Sequence, residues 1–164
     1  MMANGVNEQS VRRAVWQAYL QIHAAVIQLL EQTLLAEQDL PLLWFDTLER
    51  LANTEAGMLR LQELAEDVNL SQSGLTRLLD RMVENGLIER QPCPKDRRGL
   101  YAVLTARGHE QLQAARPVYQ RVLDEHFLRY LSCDEVNALN KVFTHIVQHE
   151  ILQKVSLDEP IAAH

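Results

Sequence analysis

The stretch LSQSGLTRLLDRMVENGLIER, residues 70–90, decides the fold. Leu75, Leu78, Leu79, Met82 and Val83 recur at spacings of three and one, the signature of one buried face on a helix from Gln72 to Asn85. Ser71 is placed to accept a bond from the free N–H groups of the first turn, and Gly86 to end the helix in the left-handed conformation. Opposite the apolar stripe lie Gln72, Ser73, Thr76, Arg77, Asp80 and Arg81. Glutamine suits adenine edges, arginine suits guanine, and serine and threonine suit bases or phosphates. A merely solvated helix face has a similar composition, so the flanking segments must discriminate.

Upstream, Leu61, Leu64, Ala65 and Val68 give two helical turns, and Asn69 to Ser71 reads as a turn. Downstream, Leu87–Arg90 and Leu100–Leu104 are short strand-like runs separated by the turn-rich segment Gln91–Gly99. Lys95, Asp96, Arg97 and Arg98 at the hairpin tip concentrate three cations in four residues, suited to the narrow, electronegative minor groove. Asp96 is expected to orient an arginine as a charge-assisted partner. Helix, turn, helix and basic hairpin in this order predict a winged helix-turn-helix.

Working outward, Ser10 to Glu37 lacks Pro and Gly, and Val11, Val15, Tyr19, Ile22, Val26, Leu29 and Leu30 recur at helical spacing. Pro41 suits the first turn of a second helix reaching Ala52, and Asn53–Gly57 reads as a loop. Thr105 is placed to cap a helix to about Tyr130, bent or interrupted near Pro117. Ser132–Glu135 is a capping box that opens a last amphipathic helix, and residues 156–164 read as a frayed tail. The predicted class is mostly α with a small β-hairpin wing and long N- and C-terminal helices. Residues 10–37 and 105–155 form the expected dimerisation region, and residues 41–104 the DNA-binding lobe. The terminal helices carry more apolar surface than a small lobe can cover, which predicts a homodimer.

The 164 residues carry a net charge of −6, which on average disfavours a polyanionic partner. The charge is segregated, however. Residues 70–107 hold seven basic and four acidic side chains, +3, against 9 basic and 18 acidic elsewhere, −9. No apolar run is long enough to span a membrane, and the first residues lack the apolar stretch of a signal peptide, so the expected compartment is the cytoplasm. Cys93 and Cys133 have no CxxC spacing and are read as ordinary thiols, that of Cys93 exposed in the wing. No Gly-rich loop, HExxH or triad is present, so neither an enzyme nor a cofactor is expected.

The segments at residues 61–65 and 70–90, followed by Asp96-Arg-Arg-Gly and Val103-Leu-Thr, resemble the MarR family of bacterial transcriptional regulators. The resemblance implies a homodimer with intertwined terminal helices, bound to a pseudopalindromic double-stranded DNA operator and released by a small ligand or an oxidant. By position it places Ser71, Gln72, Ser73, Thr76, Arg77 and Arg81 on the recognition helix, with Arg77 reading a base. Arg98 would be the minor-groove arginine held by Asp96, with Lys95 and Arg97 on phosphates. The oxidant-sensing cysteine near the start of the first helix is lacking. An aromatic or phenolic anion is the expected effector, in a pocket of Trp16, Tyr19, His23 and Trp44 with Arg50 or Arg60 as counter-ion; Asp46 reads equally as a surface charge. Two alternatives remain: a zinc-responsive regulator using His145 and His149, which share a helical face at four-residue spacing, and a winged-helix module that binds protein.

Overall fold

Helix α1 (Ala3–Gln38) opens the structure, a computed structural model that describes residues 3–54, 56–61, 63–64, 72–93 and 96–151. It begins at Ala3 rather than Ser10: residues 3–10 hold no proline, and Gly5, which has low helix propensity, falls in the first turn. Two units make up the chain, Met1–Leu123 and Asp124–His164.

In the first unit only the C-terminal part of α1 is packed: Leu30 and Leu34 are buried, whereas Val11, Val15 and Trp16 are exposed. Asp39 stops the helix at φ +50, and its N–H reaches the Leu35 carbonyl at 3.1 Å, a left-handed cap of the kind Asp tolerates better than most side chains. Pro41 then precedes α2 (Leu42–Ala52), where the Leu42 N–H donates to the Glu31 carboxylate at 2.8 Å. That carboxylate lies where the positive end of the helix dipole favours it.

The core gathers Phe45, Leu48 and Leu51 of α2 with Leu64, with Leu75, Leu79 and Met82 of α3 (Gln72–Glu84), and with Leu112, Ala115 and Val122 of α4 (Ala106–His126). Each fully buried leucine contributes roughly 1.5–3 kcal/mol. Of the helix expected over residues 61–68, Leu61, Glu63 and Leu64 are helical. The rest of it, and the turn with Ser71, lie outside the described residues.

The wing is a three-stranded antiparallel sheet of order β1-β3-β2: β1 (Met58–Arg60), β2 (Ile88–Cys93) and β3 (Asp96–Leu104). Met58 faces Val103 and Ile88 faces Leu104. Strand β1 escapes sequence reading because three residues carry no alternation; it is defined by its pairing with β3. The hairpin strands extend into what reads as a loop, over Gln91–Cys93 and Asp96–Gly99. Pro92 is tolerated there because β2 is an edge strand, which need not donate on its outer side.

Pro117 does not interrupt α4, which is continuous to His126. Both Pro117 and Gln113, whose carbonyl the proline leaves unbonded, are exposed, so water can satisfy that group. The second unit holds a 3-10 turn at Leu128–Tyr130, α5 (Cys133–Ile146) and a π turn at Val147–Ile151. Ser132 caps α5 in the expected box: the Glu135 N–H donates to its hydroxyl at 3.4 Å, and its own N–H donates to the Glu135 carboxylate at 2.8 Å. The Ser132 N–H, and the Ser132 hydroxyl that donates to the same carboxylate at 2.7 Å, hold the exposed Glu135 carboxyl below its ordinary pKa.

Candidate nucleic-acid interface

Helix α3 presents two chemically distinct faces. Leu75, Leu78, Leu79 and Met82 are buried, while Ser73, Thr76, Arg77 and Arg81 are exposed. The helix ends in a full Schellman motif: Gly86 at φ +70 donates to the Val83 carbonyl at 2.8 Å, and Leu87 donates to Met82 at 2.9 Å. The Thr105 hydroxyl, which accepts from the Gly108 N–H at 2.9 Å and so caps α4, donates to the Gly86 carbonyl at 2.7 Å. Gly108 is required at this junction, since a Cβ there would stand 2.0 Å from the Leu87 carbonyl oxygen. Close backbone approach therefore fixes the end of α3 against the start of α4.

A second tie joins α3 to the wing. The Arg90 guanidinium of β2 pairs with Asp80 at 2.8 Å and donates to the Thr76 carbonyl at 3.4 Å. Its buried Nε has no hydrogen-bond partner. Asp80 is therefore held by the wing rather than offered to a base. Sequence reasoning missed this pair, because nothing in the spacing of residues 80 and 90 announces a contact made across the Gly86 turn.

Cys93 is buried, contrary to the exposed thiol expected. The β-bulge between Pro92 and Cys93 is the cause: it shifts the alternation of β2, so that Cys93 faces inward like Ile88 instead of outward like Glu89 and Gln91. Its thiol donates to the Tyr101 hydroxyl at 3.7 Å and accepts from Arg60 at 3.8 Å. Arg60, considered as a ligand counter-ion, is thus engaged in the sheet, 5.9 Å from the Tyr101 ring centroid.

Asp96, Arg97 and Arg98 lie on β3 by backbone, with Asp96 opposite Cys93. Their side chains, that of Gln72, and the whole of Ser71 and Lys95 lie outside the described residues, as does the expected Asp96–Arg98 contact. Of the aromatic set, Trp16, Tyr19 and His23 form an exposed ladder along α1, with ring centroids 5.6 and 6.0 Å apart. Trp44 is packed against the core. The rings of His145 and His149 stand 4.7 Å apart on an exposed face, but the described residues contain no group of three or more side chains able to hold a metal. Cys133 is exposed.

Two neighbouring cavities, of about 530 and 420 Å³, share Asp46 and Glu49 in their walls. The larger lies between α2 and α4 and adds Phe45, Arg116, Pro117 and Tyr119; the smaller adds Arg50. Arg116 clasps Glu49 through two bonds of 2.9 and 3.1 Å, and the Phe45 and Tyr119 rings stack at 4.6 Å. Asp46 makes no hydrogen bond or ion pair among the described residues. Burial raises its pKa, opposed by Arg50 and reinforced by Glu31 and Glu49.

Residues 43–100 match the MarR family model. The fold matches AbsC, a MarR family transcriptional regulator from Streptomyces coelicolor, with a TM-score of 0.77 at 28% identity over 84% of this chain and 92% of that one. Over residues 43–100, and in its fold, the chain is similar to the MarR family. Members of the family are transcription regulators, not enzymes. Two further MarR-family matches are solved with DNA. One is a second regulator from S. coelicolor in complex with DNA, with a TM-score of 0.77 at 25% identity over 83% of this chain and 86% of that one. The other is a cysteine-to-serine mutant of MarR from Escherichia coli complexed with operator DNA, with a TM-score of 0.71 at 25% identity over 81% and 93%. In sequence, the multiple antibiotic resistance protein MarR of E. coli is 31% identical over 52% of this chain, and the match spans 59% of that protein. No helix among the described residues is long and apolar enough to cross a membrane.

Proposed function

We propose that this protein is a cytoplasmic, homodimeric repressor of the MarR family that binds a pseudopalindromic double-stranded DNA operator sequence-specifically and is released by a small aromatic ligand. The observation that carries the reading is the outward face of α3. Ser73, Thr76, Arg77 and Arg81 are solvent-facing on a helix whose other face is locked in the core and whose end is tied to α4 and to β2. A rigid helix with such a face can present hydrogen-bonding groups to base edges at low entropic cost. Arg77 takes the base contact, and Ser71, Gln72 and Arg81 join it on the recognition helix. Arg98, oriented by Asp96, enters the minor groove, while Lys95 and Arg97 touch phosphates.

Residues 10–37 and 105–155 supply the dimer, and residues 41–104 the DNA-binding lobe. In the first unit Val11, Val15 and Trp16 are 55–64% exposed, and in the second Val142, Phe143 and Ile146 are 41–52% exposed. Apolar side chains in such numbers on helix faces call for a partner, and a second copy is the simplest one.

The experiment is a titration of purified protein on labelled DNA from upstream of its own gene, at several salt concentrations. Affinity falls steeply with salt, and falls further on Arg77→Ala or Arg98→Ala with the dimer intact. A module that binds protein instead would show neither effect.

A further inference from the structure

We infer that the cavity between α2 and α4 takes an aromatic cation, with the Asp46 carboxylate as counter-ion and the Phe45–Tyr119 pair as the stacking wall. The inference rests on the reading of this protein as a ligand-released regulator, and it names the ligand's charge class. The sign is opposite to that of the anion expected from the sequence.

Charge in the walls carries the argument. Asp46 and Glu49 line both cavities, so the two voids meet at carboxylates. Arg116, the cation of the larger cavity among its lining residues, has both forks of its guanidinium on Glu49, at 2.9 and 3.1 Å. An incoming carboxylate would have to displace Glu49 from that bidentate pair and would still face Asp46. An ammonium meets the reverse situation, because Asp46 is half-buried and makes no hydrogen bond or ion pair among the described residues. Glu31 adds a third carboxylate near Asp46 while capping the Leu42 N–H, and Arg50 opposes them there. The five charged groups sum to −1. The Tyr119 hydroxyl reports the same field: its pKa is raised by burial and then by the negative charges of Asp46 and Glu49.

The aromatic preference comes from the half-buried Tyr119 ring, backed by the buried Phe45 ring on which it stacks at 4.6 Å, beside Pro117. A ring face is electron-rich, so a cation over it is attracted both to the ring and to Asp46. A volume of about 530 Å³ falls within the usual range for small-molecule sites.

The test uses three indole probes of similar size, tryptamine (cation), tryptophol (neutral) and indole-3-propionate (anion), titrated calorimetrically into the full-length, DNA-free protein. Tryptamine is expected to bind up to about fivefold more tightly than tryptophol, the effect of one partly exposed charge pair, and indole-3-propionate more weakly than either. Asp46→Asn should remove the advantage of tryptamine over tryptophol. Propionate binding as tightly as tryptamine, no binding by any probe, or an Asp46→Asn protein that keeps the tryptamine preference would each overturn the assignment. Because no DNA is present, failure of the regulator reading leaves this result intact, and the order of the three probes on the wild-type protein decides the charge class even if the variant misfolds.

Discussion

Gly108→Ala sets two effects of opposite sign against each other. In a helix interior, replacing glycine by alanine ordinarily stabilises by about 1 kcal/mol, through helix propensity. At this position an ideal Cβ falls 2.0 Å from the Leu87 carbonyl oxygen and 2.9 Å from Leu104 Cδ1. The backbone of Leu87 must therefore move. That carbonyl accepts the Thr105 N–H at 3.2 Å, a bond worth about 1 kcal/mol, and at 3.0 Å only a share of the Thr105 hydroxyl proton, which the Gly86 carbonyl holds at 2.7 Å. Overpacking adds roughly 1–3 kcal/mol. The net expectation is a loss of about 1–3 kcal/mol, which for a chain of this size lowers Tm by roughly 2–12 °C. Circular-dichroism melts of both proteins at one fixed concentration measure it. The reasoning is refuted if Gly108→Ala melts at or above the wild-type temperature, because helix propensity would then outweigh the close approach. The same variant should bind DNA more weakly even well below its Tm, since the displaced segment is the tie that sets the end of α3.

Other outcomes follow from the same geometry. Gly86→Ala forces an L side chain to φ +70 and should cost about 1–2 kcal/mol, read as a lower urea midpoint with an unchanged m-value. Arg90→Asp should weaken DNA binding while lowering Tm by no more than about 4 °C, since the pair is partly exposed; adding Asp80→Arg should restore binding, and failure to do so would show that the pair does not position α3. Ser132→Ala removes the hydroxyl that accepts from the Glu135 N–H, while the backbone N–H of residue 132 still donates to the Glu135 carboxylate; it should destabilise α5 by about 1 kcal/mol, visible as faster amide exchange in its first turn. The folded-state pKa of Asp46 is raised, so the folded state holds this proton more tightly than the unfolded one, and stability is lost as pH rises from below 3.8 through the folded value. Asp46→Asn should accordingly raise Tm at pH 7.5 and by less near pH 4; an equal shift at both would contradict the cause assigned.

What could be read from sequence was local. The apolar stripe on α3, the stop at Gly86 and the Ser132–Glu135 box each depend on residues within one or two turns of each other; the stop and the box stand as expected, and of the stripe Leu75, Leu78, Leu79 and Met82 are buried while Val83, at its edge, is 37% exposed. Long-range features stayed hidden. Strand β1 has no pattern of its own, the inward turn of Cys93 depends on a bulge, and the Asp80–Arg90 pair closes only once β2 has returned beside α3. The cavity brings Asp46 and Tyr119 together from helices remote in the chain, so helical spacing pointed instead to Trp16, Tyr19 and His23, which the structure shows as an exposed ladder on α1. Pro117 reads as a break by composition, yet it lies where the carbonyl it leaves unbonded is open to water.

The central claim, that the outer face of α3 and the wing bind DNA, is tested most directly by fluorescence anisotropy on a fragment from upstream of the protein's own gene. Wild-type protein and the Arg77→Ala/Arg98→Ala double variant are titrated at 50 and at 200 mM salt, concentrations chosen as roughly spanning the range over which several phosphate contacts change affinity by about 10³-fold or more. The account predicts tight, steeply salt-dependent wild-type binding, with the double variant folded and dimeric but reduced to weak binding that no longer distinguishes this fragment from unrelated DNA. Equal affinity of the two proteins for the fragment would contradict it.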